Sequence, residues 1–176
     1  MRYTFAAGQI GAWRIDQIAP VVGDSLPGAD RLNIVPADAS LECVWSLDGV
    51  VSNIRYATAV EAGQLRAVQE DLGRPHATCA ALIPIRKSAA WWGMAQDERR
   101  AIFEEQSHHT AIGLDYLPQV ARKLYHCRYI GGPFDFLTWF EFAPEHADAF
   151  EHLVQRLREI REWTYVDREV DIRLSR

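Results

Sequence analysis

The stretch FDFLTWFEFAPEHADAFEHLVQRLREIREWTYVDREVDIRL, residues 134–174, holds three predicted elements in a row. Its first part, residues 134–142, is rich in aromatic side chains and predicts a β-strand. Residues 143–163 predict an amphipathic helix. Apolar side chains recur along one face of this helix: Phe150, Leu153, Leu157 and Ile160. Residues 164–174 alternate apolar and polar side chains and predict a final strand.

Upstream segments extend this pattern to a whole structural unit. A strand predicted over residues 121–130 makes the C-terminal order β-β-α-β, and residues 41–86 predict β-α-β. The helix within the second pattern starts with a capping box, because Thr58 stands three residues before Glu61. These patterns predict one α+β unit of ferredoxin-like type with two related halves. The halves would span about residues 1–90 and 91–176.

Other segments complete the prediction. Residues 2–15 predict a strand, and residues 20–40, rich in Pro, Gly and Asp, predict a connecting loop. Residues 77–88 predict a strand of the buried type, with Lys87 near its end expected to be solvated. Residues 95–116 predict a single long helix.

The composition is that of a globular protein and disfavours several functional classes. Of the 176 residues, 48% are hydrophobic and 24% are charged. A net charge of −5 gives no basic surface for nucleic acid, and no apolar run approaches the roughly 18 residues of a membrane span. Three scattered cysteines without CxxC spacing argue against a disulfide framework or a zinc site. Because no secretory signal pattern is visible, a cytoplasmic location is expected.

Two adjacent histidines lie in the predicted helix and cannot share one role. If residues 95–116 are helical, His109 falls on the less polar face, together with Ile102 and Tyr116. His108 falls among charged residues and is expected to face water. The pattern leaves two interpretations of His109: a core histidine that bonds to the backbone, or a ligand.

An arginine follows at position 122, in a strand. Arg122 stands between Val120 and Leu124 on one strand face, so its immediate neighbours on that face are apolar. Such an arginine is either an edge residue whose head reaches water or a buried cation with a partner or an anionic ligand. The residues by themselves leave both interpretations open.

The segment HTAIGLDYLPQVARKLYH, residues 109–126, resembles the haem-binding segment of the chlorite dismutase family. The shared pattern is a histidine, a tyrosine seven positions on, an arginine thirteen positions on, and then Lys-Leu-Tyr-His. LIPIRKSAAWWGMAQDERRAI, residues 82–102, strengthens the resemblance, which covers at least residues 80–165. The short N-terminal part is similar to the compact branch of the family, which implies a dimeric α+β barrel and a homodimer.

The resemblance implies a b-type haem as cofactor. It implies that His109 is the axial ligand of the iron and that Arg122 is the catalytic arginine on the opposite face. It also implies that Glu162 hydrogen-bonds the far nitrogen of the imidazole, whereas helical periodicity alone places Glu162 on a solvated face. The other implied contacts are an aromatic pair near the haem and residues at its edge or propionates: Trp91, Trp92, Asn53, Tyr56 and Arg86.

The implied reaction converts chlorite, a small anion, to chloride and dioxygen. It is redox-neutral overall and needs no second cofactor. Arg122 suits it, because a guanidinium is always charged and donates hydrogen bonds without transferring a proton. Two alternatives stay open: a coproheme decarboxylase-type enzyme of the same superfamily, which typically lacks this arginine, and a non-catalytic haem-binding module.

Overall fold

A closed antiparallel β-barrel forms the centre of the computed structural model, which describes residues 1–37, 42–51 and 55–176. Its strands are β1 (Arg2–Gly8), β2 (Trp13–Val22), β3 (Arg31–Pro36), β4 (Trp45–Val50), β5 (Cys79–Lys87), β6 (Val120–His126), β7 (Phe136–Phe142) and β8 (Val166–Ser175). Around the barrel they follow the order β1-β3-β2-β8-β5-β7-β6-β4. Strands and helices are mixed as the sequence predicts, so the α+β class is confirmed.

Helices lie outside the barrel and connect its strands. The α-helices are α1 (Ala59–Val68), α2 (Ala89–Gly93), α3 (Gln96–Arg100), α4 (His109–Leu114) and α5 (Ala147–Glu159). A π-helix (Ala101–Gln106) and two 3₁₀ turns (Pro144–His146 and Arg161–Tyr165) add to them. Within the described part of the chain, no helix has the length and apolar character needed to cross a membrane.

The barrel strands carry two hydrophobic cores, because successive side chains point to opposite faces of a strand. The barrel interior holds large buried side chains: Phe5, Leu82, Leu137 and Trp139. The outer face of β5 and β7 holds a second set: Ile83, Phe140 and Phe142. Helix α5 covers this outer face, where Phe150 stacks on Phe142 with ring centroids 4.5 Å apart. The site described below is built on this outer face.

The N-terminal region differs from its prediction. Residues 2–15 belong to two strands rather than one, and residues 20–40 contain the end of β2 and all of β3 rather than a loop. Pro20 suggests a loop, yet a strand tolerates it here because the pairing of β2 with β8 shifts register next to it. Between β1 and β2, Gly11 is needed, since a Cβ there would lie 2.6 Å from the carbonyl oxygen of Leu32.

The capping box predicted at the start of α1 is confirmed. The N–H of Glu61 donates to the Thr58 hydroxyl at 3.2 Å, and the N–H of Thr58 donates to the Glu61 carboxylate at 2.7 Å. Two otherwise unpaired backbone donors are thereby satisfied.

The helix predicted over residues 143–163 is shorter than expected. It ends at Glu159, because Ile160 adopts an extended conformation (φ −78°, ψ 158°) and a 3₁₀ turn begins at Arg161. This break removes Glu162 from the helix face and turns it inward, where it is only 4% exposed. The solvated position that periodicity predicts for Glu162 is therefore wrong.

Candidate functional site

An apolar cavity lies between the outer face of the sheet and the helices α4 and α5. Its empty space, including the solvent at its open mouth, is about 1160 Å³. Apolar side chains form much of its wall: Ile83, Ile85, Val120, Phe140, Leu153 and Leu157. Charged or titratable side chains interrupt this wall, among them Lys87, His109, Arg122 and Glu162.

His109 reaches the cavity because the helix breaks directly before it. The single helix predicted over residues 95–116 is wrong: α3 passes into the π-helix, and His108 then adopts a left-handed backbone with φ 54°. The Glu104 carboxylate caps the new helix α4 by accepting the N–H of Thr110 at 2.6 Å. The single helix assumed for the two histidines does not exist. Their predicted surroundings are nevertheless correct, since His109 lines the cavity and His108 is exposed.

Three side chains form a buried hydrogen-bonded chain beside the cavity. His109 Nδ1 lies 2.6 Å from Glu162 Oε2, and Lys87 Nζ donates to Glu162 Oε1 at 2.6 Å. Burial by itself would raise the pKa of Glu162, but the charges of His109 and Lys87 outweigh it and hold this pKa at about 2. The carboxylate is therefore ionised at neutral pH and can keep a proton on Nδ1 of the imidazole.

Aromatic rings fix the plane of the imidazole. Phe103 stacks on His109 with centroids 4.4 Å apart and 20° between the planes, and Trp163 is inclined by 23° at 6.3 Å. Because Nδ1 is turned to Glu162, Nε2 is the ring nitrogen left for a ligand. An imidazole held in this way can coordinate a metal through Nε2.

Among the described residues, burial is the only influence on the Arg122 guanidinium, and no carboxylate pairs with it. Burial lowers the pKa of its guanidinium, and no ion pair opposes that effect, although an arginine stays charged at such a site. Its backbone is anchored, since Gln69 Nε2 donates to the Arg122 carbonyl at 2.9 Å. A cation without a partner in an apolar cavity is costly unless an anion joins it. Of the two interpretations that the sequence leaves open, the anion-binding cation fits this geometry.

The adjacent tryptophans point in different directions. Trp91 is buried against the cavity, and in the described structure its indole N–H has no hydrogen-bond partner. Trp92 instead donates to Asp135 at 2.9 Å, and the Arg128 guanidinium lies 3.9 Å from its ring centroid. Trp91 therefore faces the cavity beside Tyr56, whereas Trp92 is held by Asp135 and Arg128.

The residues predicted at the edge of a ligand are not all brought together. Tyr56 lines the cavity, and its backbone adopts φ 63°, which is uncommon for a bulky residue. Arg86 is turned away: it pairs with Asp167 at 2.8 Å, and its side chain is 46% exposed. Asn53 lies outside the described residues.

Lys87 is a site residue that the sequence analysis missed, and its predicted solvation is wrong. Its side chain is only 4% exposed and binds Glu162. A signal was present, because Lys87 follows Ile83 and Ile85 at strand spacing and so shares their buried face. Nothing in the sequence shows that a carboxylate from the distant 3₁₀ turn lies opposite it.

The fold and the cavity define a class: an α+β barrel with an apolar cavity beside its sheet. A family model for chlorite dismutase matches residues 28–176, and the chain belongs to the chlorite dismutase family.

Individual relatives agree with this assignment. A crystal structure of dimeric chlorite dismutases from Nitrobacter winogradskyi is 61% identical, with a TM-score of 0.93 over 99% of both chains. A chlorite dismutase from Candidatus Nitrospira defluvii, solved in complex with imidazole, is 31% identical over 75% of this chain and 55% of its own, with a TM-score of 0.61. The curated chlorite dismutase of Ideonella dechloratans is 35% identical over 86 residues, which span 49% of this chain and 28% of that relative.

Proposed function

We propose that the protein is a haem b enzyme that converts chlorite to chloride and dioxygen. One observation carries the proposal: a carboxylate-held imidazole and an unpaired guanidinium line the same cavity. The similarity to chlorite dismutases, at 61% identity over nearly the whole chain for one of them, supports chlorite as the substrate.

The residues around the cavity fit a haem. His109 would ligate the iron through Nε2, with Glu162 holding the opposite nitrogen. The apolar walls suit the macrocycle, and the polar edges of Tyr56 and Trp91 suit its propionates. When bound, the haem would supply the iron chemistry that cleaves Cl–O bonds and that amino-acid side chains lack.

Glu162 and Lys87 would keep the ligating imidazole neutral and strongly donating. Glu162 accepts the Nδ1 proton, which fixes the tautomer and increases the basicity of Nε2. Lys87 compensates the carboxylate, so this buried group is not left as an isolated negative charge.

Arg122 would bind the substrate and retain its fragments. The protein carries a net charge of −5, which opposes the approach of an anion, so a local cation is needed. The guanidinium donates hydrogen bonds without giving up a proton, and it can hold the chlorine-containing fragment until the O–O bond forms. Arg122 is therefore the proposed catalytic residue.

An oxygen electrode tests this proposal. Haem-loaded protein given chlorite should release dioxygen and chloride in equal amounts. Bound haem without oxygen release would point to the non-catalytic haem-binding module. Loss of carbon dioxide from coproheme added together with hydrogen peroxide, which accepts the two electrons released when a propionate becomes a vinyl group, would point to the decarboxylase.

We also propose that the protein forms a homodimer, as the similar Nitrobacter winogradskyi protein is described. Light scattering of a dilute solution should give twice the 20.0 kDa mass of the chain. The mass of a monomer or a pentamer would contradict this proposal.

A further inference from the structure

A buried carboxylate that the proposed function does not use lies beside the cavity. Glu169 on β8 is completely buried, and its two carboxylate oxygens bind different partners. Oε1 accepts two hydrogen bonds from the Arg158 guanidinium, at 2.6 and 2.8 Å. Oε2 accepts the indole N–H of Trp163 at 2.7 Å. Arg158 compensates the charge, as a buried carboxylate requires, and the second oxygen is left to hold the indole.

The indole that Glu169 holds lies against two members of the hydrogen-bonded chain beside the cavity. The ring centroids of Trp163 and His109 are 6.3 Å apart, with 23° between the planes. The Lys87 ammonium lies 5.2 Å from the Trp163 ring centroid, within the range of a cation–π contact. If the indole is displaced, the imidazole and the ammonium therefore lose a neighbour together, and both of their bonds to Glu162 become less well aligned.

The bond to Glu169 is what orients the Trp163 ring. Trp163 lies in a short 3₁₀ turn, Arg161–Tyr165, and its side chain is only half-buried. An indole has a single hydrogen-bond donor, so its contact with Glu169 is the only conventional hydrogen bond that it can donate. A charged acceptor makes such a bond roughly twice as strong as a neutral one. Replacing the carboxylate should therefore loosen the ring without removing it.

We propose that Glu169 is a positioning residue that acts through Trp163 on the imidazole of His109. It holds the indole beside His109 and Lys87, so that both keep well-aligned bonds to the Glu162 carboxylate. The proposal rests on the proposed function, because the imidazole is positioned for the iron.

The indole N–H signals of the nitrogen-15-labelled protein test the first step, from Glu169 to Trp163. The full chain is loaded with zinc protoporphyrin, which is diamagnetic, and Trp163→Phe identifies the signal. In Glu169→Gln one amide oxygen faces two donors, and the charged Arg158 should capture it. The Trp163 signal should then move upfield and exchange faster with water. Asp171→Asn is the matched control, because Asp171 pairs with the same guanidinium at 2.8 Å but does not accept the indole N–H.

The iron–histidine stretching band of the ferrous, haem-loaded protein tests the second step, from Trp163 to His109. Its frequency falls when the hydrogen bond on the far nitrogen of the imidazole weakens, because the ligand becomes a poorer donor. Glu162→Gln changes that bond directly and gives the reference shift. Glu169→Gln and Trp163→Phe should each give part of this shift, and the double variant should give no more than either single variant. Asp171→Asn should leave the band at the parent's frequency.

The outcomes separate the two proposals. A parent that binds no haem, or shows no iron–histidine band, overturns the proposed function and the role of Glu169 with it. A parent that shows the band, with Glu169→Gln leaving it unshifted, overturns the role of Glu169 alone. Equal shifts in Glu169→Gln and Asp171→Asn would also overturn this role, because the ion-pair network rather than the indole would then cause them.

The remaining variant covers a failure to fold. If Glu169→Gln does not fold, as judged by thermal melting, Trp163→Phe decides, since it removes the indole N–H and leaves the pair of Glu169 and Arg158 intact. An unshifted band in Trp163→Phe, or additive shifts in a folded double variant, would show that Glu169 does not act through Trp163.

Discussion

Two walls of one cavity handle charge in opposite ways. The histidine wall, which consists of His109, Glu162 and Lys87, joins its charges by two contacts of 2.6 Å. The arginine wall, formed by Arg122 and its neighbour Leu124 on β6, holds one cation that no carboxylate of the described residues meets. The charges of the histidine wall compensate one another, whereas the charge of the arginine wall is uncompensated.

This difference indicates how the work of the site is divided. Compensated charges cannot attract a ligand strongly, but they fix the position of one atom, here Nε2 of His109. An uncompensated cation is poorly suited to positioning, but it attracts and retains an anion. We therefore expect substitutions in the histidine wall to affect cofactor binding and folding, and substitutions in the arginine wall to affect turnover.

The largest effect is expected when His109, the proposed iron ligand of the histidine wall, is removed. His109→Ala removes the ring nitrogen that the wall positions, so haem affinity should fall by more than the roughly 100-fold upper limit typical of outer-shell partners. The Soret band and the haem content of protein loaded under identical conditions measure this. His108→Asn is the control, because asparagine tolerates the left-handed backbone of this exposed position. If His109→Ala keeps the parent's spectrum, the ligand assignment is wrong.

The two walls were also predictable to different degrees. Arg122 occupies a strand that was predicted over residues 121–130 and is observed as β6, in register with β7, so local sequence was sufficient to place it on a strand. The positions of His109 and Glu162 depend on breaks in the helices at His108 and Ile160. At both places the sequence keeps a helical periodicity, but the backbone leaves the helical conformation. Tertiary contacts such as the Glu104 cap decide those breaks, and no short sequence window contains them.

The same limit applies to the fold as a whole. The strand–helix–strand pattern of residues 134–174 and the capping box at Thr58 are local, and both appear in the structure. The closure of the barrel depends on β2 pairing with β8, which joins the two ends of the chain and makes Pro20 acceptable in a strand. Lys87 was missed for the same reason, because its partner lies 75 residues away.

A second large effect, on stability, is expected when a buried charge loses its partner. Glu162→Ala removes the partner of Lys87, whose side chain is only 4% exposed, so unfolding should become about 3–5 kcal/mol easier. Adding Lys87→Met should recover much of this loss, since a buried ion pair replaced by apolar groups is often neutral. Denaturant unfolding of the parent, both single variants and the double variant measures the coupling. Independent, additive losses would show that the ion pair does not form.

A redox measurement separates the second role of Glu162 from its contribution to stability. Glu162→Gln leaves a side chain of similar size but weakens the acceptor on Nδ1 of His109, so the imidazole becomes less basic. The reduction potential of the bound iron should rise, because a weaker donor stabilises the ferric state less. An unchanged potential in folded, haem-loaded protein would limit Glu162 to a structural role.

An intermediate effect is expected at the arginine wall. Arg122→Ala removes one charge-assisted donor, so the transition state should lose about 1–3 kcal/mol of stabilisation. The initial rate of oxygen release should fall accordingly, while haem binding is retained. Turnover should also stop early with bleaching of the Soret band, because the chlorine-containing fragment escapes and oxidises the site. A hypochlorite trap should protect this variant more than the parent. A complete loss of oxygen in the first turnovers would mean that Arg122 is needed for bond cleavage itself.

The smallest effect is expected at an ion pair outside both walls. The Glu61 and Arg100 side chains are 20% and 23% exposed, so Glu61→Gln should cost only about 0.5–1 kcal/mol at pH 7. Glutamine still accepts the Thr58 N–H, so the capping box survives and the charge is tested by itself. Hydrogen bonds from Arg100 lower the pKa of Glu61 from 4.5 to about 2, so its ionisation stabilises the fold above pH 4.5 and ceases to do so as pH falls towards 2. Urea unfolding from pH 7 to pH 2 should therefore show the parent and the variant converging in acid. A constant difference would assign the loss to geometry rather than to charge. Arg100 also donates to the backbone carbonyl of Tyr56, which lines the cavity. Weaker haem binding in this variant at neutral pH would therefore show that the ion pair helps to position Tyr56.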